Sequence, residues 1–203
     1  MAGPILSRGG DYMRRFIDEV LPFTLTGAQQ RALDDVFVDT ASGVQMNRLI
    51  QGDVGSGKTV VAIAAMLHAL DNGYQSAFMA PTEILVEQHY ANLRSYLEPL
   101  GVETRLLIGG QRKVLREEIL ADLAEGRAQV AVGTHAVIQE RIVFQKLGMA
   151  IVDEQHRFGV LQRAEMMSKG ENPHMLLMTA TPIPRSLAMT PVSYTHLTLP
   201  TNR

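Results

Sequence analysis

From position 52 the chain reads Gly52-Asp53-Val54-Gly55-Ser56-Gly57-Lys58-Thr59, the spacing G-x-x-x-x-G-K-[ST]. Glycines at these positions let backbone N–H groups converge on phosphate oxygens, an approach that side chains would block. Lys58 is then placed to bridge the β- and γ-phosphates of a nucleotide, and the Thr59 hydroxyl to hold Mg²⁺. At average residue usage the four fixed positions match by chance in a chain of this length about one time in a hundred. The whole run from Gly52 to Thr59 is therefore a candidate nucleotide cradle.

A second group lies a hundred residues on. Ala150-Ile151-Val152 has the composition of a short buried strand, and Asp153-Glu154-Gln155-His156 follows at its end. Asp153 can reach the Mg²⁺ shell held by Thr59, while Glu154 can face the γ-phosphate and polarise water. Adjacent carboxylates repel each other, and a bound dication relieves the repulsion. In isolation such a pair would read as the cap of the next segment. Behind a phosphate loop it reads as catalytic, with Lys58, Asp153 and Glu154 as the reacting machinery.

Histidines raise the question of a further metal site. Neither His135 nor His156 has a partner at the spacing a zinc site uses, and the chain has no cysteine. His156 is expected near the γ-phosphate. His68 and His89 fall inside helical runs and read as ordinary surface or core residues.

These residues need elements to hold them. Tyr12 to Val20 reads as a short helix ending before Leu21-Pro22. Thr26 with Gln29 three residues on has the spacing of a capping box, opening a helix to about Val38. Arg48 to Gln51 reads as a strand, Lys58 to Leu70 as a helix closed by Asp71-Asn72-Gly73, and Ser76 to Ala80 as a strand. The rhythm repeats with a helix over Glu83 to Tyr96, a strand over Thr104 to Ile108, a helix over Arg112 to Ala124 and a strand over Gln129 to Val132. Met149 to Val152 and Met175 to Met178 are further strands. Strands separated by helices of this length imply right-handed crossovers, hence an α/β fold with a mostly parallel sheet covered on both faces. Ligands on such sheets gather at the carboxyl ends of strands, where the phosphate loop and the acidic pair both fall.

Composition narrows the class without naming it. With 203 residues, 46% hydrophobic and 20% charged, the chain can bury one substantial core. A net charge of −2 offers no global field for nucleic acid, so any such contact must be a local patch. The basic cluster Arg112, Lys113 and Arg116 reads as a solvated helix face. Met1 to Gly10 lacks the build of a signal peptide and no run is long enough to span a bilayer, so a soluble cytoplasmic protein without a membrane partner is expected.

From Leu21 to Thr190 the chain resembles the first motor domain of the superfamily 2 helicases, and within them the RecG family of DNA helicases. Gln51 to Thr59 resembles their motif I, Met79-Ala80-Pro81-Thr82-Glu83 motif Ia, and Gly133-Thr134-His135-Ala136 the next DNA-facing motif. Asp153 to His156, extended by Arg157-Phe158-Gly159, resembles motif II, and Thr179-Ala180-Thr181-Pro182-Ile183-Pro184-Arg185 motif III. The motor of the transcription-repair coupling translocase is closely similar. Ser56 and Gln155 favour the RecG family over it. A nucleotide-binding module that drives no motor is a third reading.

The resemblance implies a RecA-like P-loop NTPase domain that uses ATP and Mg²⁺ and acts as a monomer on branched or forked DNA. It implies that Gln29 reads adenine, whereas the local spacing gives Gln29 only a helix end to satisfy. It also implies DNA-backbone contacts from Pro81, Thr82, Gly133, Thr134 and His135, and coupling of the two sites through Thr179 and Thr181. A motor of this class has a second such domain, which 203 residues do not accommodate. Residues 1–20 are expected as a flank. Residues 191–203, with no strand or helix periodicity, are expected as a non-native tail.

Overall fold

A computed structural model of the chain describes residues 1–53, 57–135, 138, 142–153, 172–180 and 193–197. Among the described residues, seven strands form one sheet in which every pairing is parallel, in the order β3-β4-β2-β5-β6-β1-β7. They are β1 (Asn47–Gly52), β2 (Gln75–Ala80), β3 (Thr104–Leu107), β4 (Val130–Thr134), β5 (Leu147–Asp153), β6 (His174–Thr179) and β7 (Ser193–Leu197). The helices are α1 (Asp11–Arg15), α2 (Gly27–Ala41), α3 (Lys58–Asp71), α4 (Glu83–Leu97) and α5 (Lys113–Ala124).

Strand alternation sends side chains to two cores. Ile50, Phe78, Ala80, Val132, Ile151, Leu176 and Met178 face one side, where α2, α3 and α4 supply Leu33, Val36, Met66, Leu93 and Leu97. Leu49, Ala77, Met79, Ala131, Ala150, Val152 and Leu177 face the other, against Ile119 and Leu123 of α5 and against Ile138, Ile142 and Phe144. A parallel sheet buried on both faces needs near-continuous apolar strands, and these have them. From Val60 to Leu70 every residue of α3 is buried, so this helix is central rather than amphipathic.

Local chemistry sets the helix ends. Thr26 Oγ1 accepts from the Gln29 N–H at 3.2 Å while Gln29 Oε1 accepts from the Thr26 N–H at 2.8 Å, the reciprocal box expected from their spacing. Gly10 precedes α1 and has no side chain to cap with. Asp71, from the end of α3, caps it from outside by accepting from Tyr12 N–H at 3.0 Å and Met13 N–H at 3.1 Å. After Arg15 the helix widens, so that Leu21 N–H reaches back five residues to the Phe16 carbonyl at 2.8 Å.

Both ends of the chain meet the rest of the fold. In residues 1–20, Leu6 and Phe16 are fully buried in the first core, and the Leu6 and Pro4 carbonyls accept from His68 Nε2 (3.1 Å) and His174 Nε2 (2.7 Å). Ser193–Leu197, where no strand was expected, pairs with β1 over its length. Backbone pairing to an open edge needs no particular side chains. Leu197 at 3% exposure is the buried apolar anchor, and Thr195 Oγ1 accepts from Arg48 Nη1 at 2.6 Å.

Candidate functional site

Strand register brings the chemical residues to one edge of the sheet. Gln51 of β1 lies level with Thr179 of β6, and Met178 of β6 level with Asp153 of β5. Val152 of β5 lies level with Met79 of β2, and Ala80 of β2 level with Thr134 of β4. The carboxyl ends of five adjacent strands therefore carry, in order, Thr134, Ala80, Asp153, Thr179 and Gly52. This is the crevice where a doubly wound sheet binds its ligand.

The phosphate loop spans the gap between β1 and α3. Residues 54–56, which include Val54, Gly55 and Ser56, lie outside the described residues. On the strand side Gly52 closes β1 and Asp53 is exposed. On the helix side Gly57 is the N-cap of α3 at φ 83°, the left-handed region that glycine enters without strain. It contributes no side-chain cap, so the first N–H groups of α3 have the dipole and geometry for an anion. Lys58 Nζ donates to the Gly52 carbonyl, folding the amine back over the loop it would serve. Thr59 follows in the first turn of α3 and is partly exposed.

Gln29 is 3% exposed and meets this loop directly. Its Oε1 closes the capping box while its Nε2 donates to the Gly57 carbonyl at 3.3 Å. The amide thus does the structural job that its spacing indicated and also touches the phosphate loop.

Asp153 ends β5 and is held from two sides. His89 Nε2–H donates to Asp153 Oδ2 at 2.7 Å, with both side chains largely buried. A carboxylate can only accept here, which places the proton on Nε2. The His89 ring also packs on Phe78, centroids 4.7 Å apart and tilted by 48°. His89, expected to be an ordinary helix residue, is therefore part of the site. The His135 ring hydrogen-bonds the Asp153 backbone, and burial, the largest influence, holds it below its ordinary pKa. Glu154 and His156 lie outside the described residues, as does Thr181.

The expected DNA-facing residues emerge side by side from β2 and β4. Thr82 is exposed and its Oγ1 caps α4, accepting from Leu85 N–H at 3.3 Å; Pro81 precedes it, partly exposed. Thr134 and His135 are 8% and 7% exposed, so the His135 ring faces inward rather than outward. Gly133 is required by packing: a Cβ there would sit 2.9 Å from the Leu107 carbonyl oxygen and 3.0 Å from Ile138. Thr179 is 1% exposed, between the phosphate loop and Asp153. Away from the edge, Lys113 pairs with Glu117 at 3.8 Å on the surface of α5, as a solvated face does.

Thr59 and Asp153 are hard oxygen donors of the kind Mg²⁺ takes when phosphates complete its shell. Among the described residues no cluster of three or more His, Asp or Glu side chains forms a protein-only metal cage. The residues present fit a cation shared with a nucleotide. None of the described helices is long and apolar enough to cross a membrane.

Comparison with known proteins bears on this geometry. The chain is 53% identical to the ATP-dependent DNA helicase RecG of Synechocystis sp. over 186 residues, 92% of this chain and 22% of that protein. It is 50% identical to the protein of the same name from Escherichia coli O157:H7 over 184 residues, 89% of this chain and 27% of that one. The chain thus spans about a quarter of the length of the curated relatives it matches. A structure of RecG bound to a three-way DNA junction superposes with a TM-score of 0.84 at 42% identity, covering 100% of this chain and 28% of that one. The yeast DEAD-box splicing factor Prp28, at 20% identity and a TM-score of 0.68 over 94% of this chain and 49% of that one, shares the fold. The DEAD/DEAH box helicase model matches residues 26–190, which span the capping box, the phosphate loop and the acidic end of β5, and the chain belongs to that family.

Proposed function

We propose that residues 21–190 are the ATP-binding motor unit of a RecG-like DNA helicase, one that remodels branched DNA such as stalled forks in the cytoplasm. The observation that carries the reading is the shared strand edge, which sets Gly52, Thr179, Asp153, Ala80 and Thr134 on adjacent strands. A nucleotide at β1 and a polynucleotide at β2 and β4 would then lie at opposite ends of one crevice.

In this reading the loop from Gly52 to Thr59 cradles the phosphates, and Lys58 leaves the Gly52 carbonyl to bridge the β- and γ-phosphates. Gln29 lies beside the loop to meet adenine, and His156 faces the γ-phosphate. Thr59 and Asp153 hold Mg²⁺, which would neutralise charge on the phosphate oxygens. Glu154 orients and deprotonates the attacking water. Pro81, Thr82, Gly133, Thr134 and His135 serve the DNA backbone, the exposed Thr82 by its hydroxyl and the buried residues by placing main chain at the edge. Thr179 and Thr181 link the two ends. In motors of this class an arginine from a second motor domain stabilises the transferring phosphoryl group.

Nucleotide affinity measured with and without forked DNA tests the reading. A motor requires each ligand to strengthen or weaken the other by the same factor. Indifference would instead identify a nucleotide-binding module with no motor function.

A further inference from the structure

We propose that His89 is a positioning residue for the Mg²⁺ site. Its Nε2–H holds one oxygen of Asp153 and so sets the carboxylate in the orientation that the cation requires. The inference rests on the reading that Asp153 belongs to the Mg²⁺ shell.

Three observations carry it. The contact is short, 2.7 Å, and charge-assisted on the acceptor side. It joins elements far apart in sequence, α4 and the end of β5, so it is no by-product of a local turn. Each partner is held independently: the His89 ring lies on the fully buried Phe78, and Asp153 leaves a strand whose preceding residues, Leu147 to Val152, are all buried. A carboxylate at a strand end can otherwise rotate about its χ angles. An imidazole fixed in this way restricts it before any ligand arrives. Outer partners of this kind orient metal ligands, and losing one weakens metal affinity by about 10–100-fold.

The test is ADP binding to the 203-residue chain, measured by calorimetry with and without Mg²⁺, the readout being the factor by which Mg²⁺ tightens ADP. His89→Phe keeps a ring against Phe78 and removes the donor. His89→Gln removes the ring and offers an N–H at a reach close to that of Nε2. Asp153→Asn removes the charge. We expect Asp153→Asn to abolish the Mg²⁺ effect, His89→Phe to reduce it about tenfold, and His89→Gln to restore it to within about threefold of the unaltered chain. ADP affinity without Mg²⁺ stays unchanged in the two His89 variants, which also reports that each is folded. For Asp153→Asn the Mg²⁺ factor is taken against that variant's own Mg²⁺-free affinity, and its folding is read from a thermal melt. If the Phe variant fails that control, His89→Met replaces it.

A role in packing alone reverses the order, with Phe tolerated and Gln impaired, and that result overturns the inference. Full Mg²⁺ enhancement in His89→Phe, alongside its loss in Asp153→Asn, also overturns the inference and leaves the Asp153 reading standing. Full enhancement in Asp153→Asn overturns the Asp153 reading and the inference with it.

Discussion

The side-chain amide of Gln29 is shared between a helix end and the phosphate loop: its oxygen accepts from the Thr26 N–H at 2.8 Å and its nitrogen donates to the Gly57 carbonyl at 3.3 Å. A change at this position therefore has a stability component and a nucleotide component.

Glutamate keeps the capping acceptor but cannot donate to Gly57. Gln29→Glu keeps the capping box but sets a largely buried carboxylate oxygen against the Gly57 carbonyl, so it should cost about 1–3 kcal/mol of stability. Its ATP affinity should fall by about 3–10-fold, the value of one lost hydrogen bond. Gln29→Ala should lose that affinity and also about 1 kcal/mol of stability. Thermal melts beside nucleotide titrations of both variants check this.

Gly57 is the other half of the contact. At φ 83° a Cβ would lie 2.0 Å from Gln29 Nε2, so alanine is opposed by the backbone and by a neighbour at once. Gly57→Ala should cost about 1–2 kcal/mol from the left-handed backbone alone, with displacement of the glutamine on top. In a Gln29→Ala background the clash is gone, so the same substitution should cost less. A double-mutant cycle on unfolding midpoints measures the difference.

Much of this site could be read from spacing. The Thr26–Gln29 box, the strand-loop-helix around Lys58 and the strand before Asp153 are local patterns, and each forms within a residue or two of its expected place. The His89–Asp153 contact was not legible, because it follows from β2 lying next to β5, a property of sheet order rather than of any window of sequence. Nor was the inward turn of His135, which depends on the same neighbour. Ser193–Leu197 gave no strand signal since its pairing is almost entirely backbone. The burial of Leu6 and Phe16 was not legible, because Leu6 lies in a run with no helical or strand period and a short helix over Tyr12 to Val20 does not say what it packs on.

The packing of the first residues onto His68 and His174 makes stability depend on pH. Burial, the dominant influence, holds the His68 and His174 rings below their ordinary value of 6.5. The Leu6 and Pro4 carbonyls, with Asp71 near His68 and Asp39 near His174, pull the other way; His68 itself pushes His174 further down. The folded protein then binds fewer protons than the unfolded chain, so their contribution is complete above pH 6.5 and falls as pH drops below it toward the folded values. The urea midpoint should be lower at about pH 5.5 than at about pH 7.5. His68→Gln, which keeps a donor for the Leu6 carbonyl but does not titrate, should flatten part of that slope. Asp122 does not confuse the comparison: hydrogen bonds from Arg127 and then Arg105 hold it below 3.8, so its stabilising contribution is lost only in stronger acid.

Arg48 anchors the other edge. The side chain is 9% exposed and is held by Asp39 at 2.7 Å, Asp35 at 3.2 Å and Thr195 at 2.6 Å, tying α2, β1 and β7 together. Asp39→Ala leaves a buried guanidinium with its strongest partner gone. It should cost about 1.5–3 kcal/mol, seen as a melting temperature lower by roughly 5 °C. Asp35→Ala, the loss of a half-exposed partner, should cost less than about 1 kcal/mol.

If Lys58, held in this structure by the Gly52 carbonyl, turns to hold a nucleotide phosphate, its loss must weaken nucleotide binding. Mg-ATP titrated into the unaltered chain and into Lys58→Ala decides the matter. Saturable binding is expected, at least about tenfold weaker in the variant, as loss of a charge-assisted contact to phosphate requires. Equal affinity in the two proteins, or no saturable binding by the unaltered chain, would contradict it.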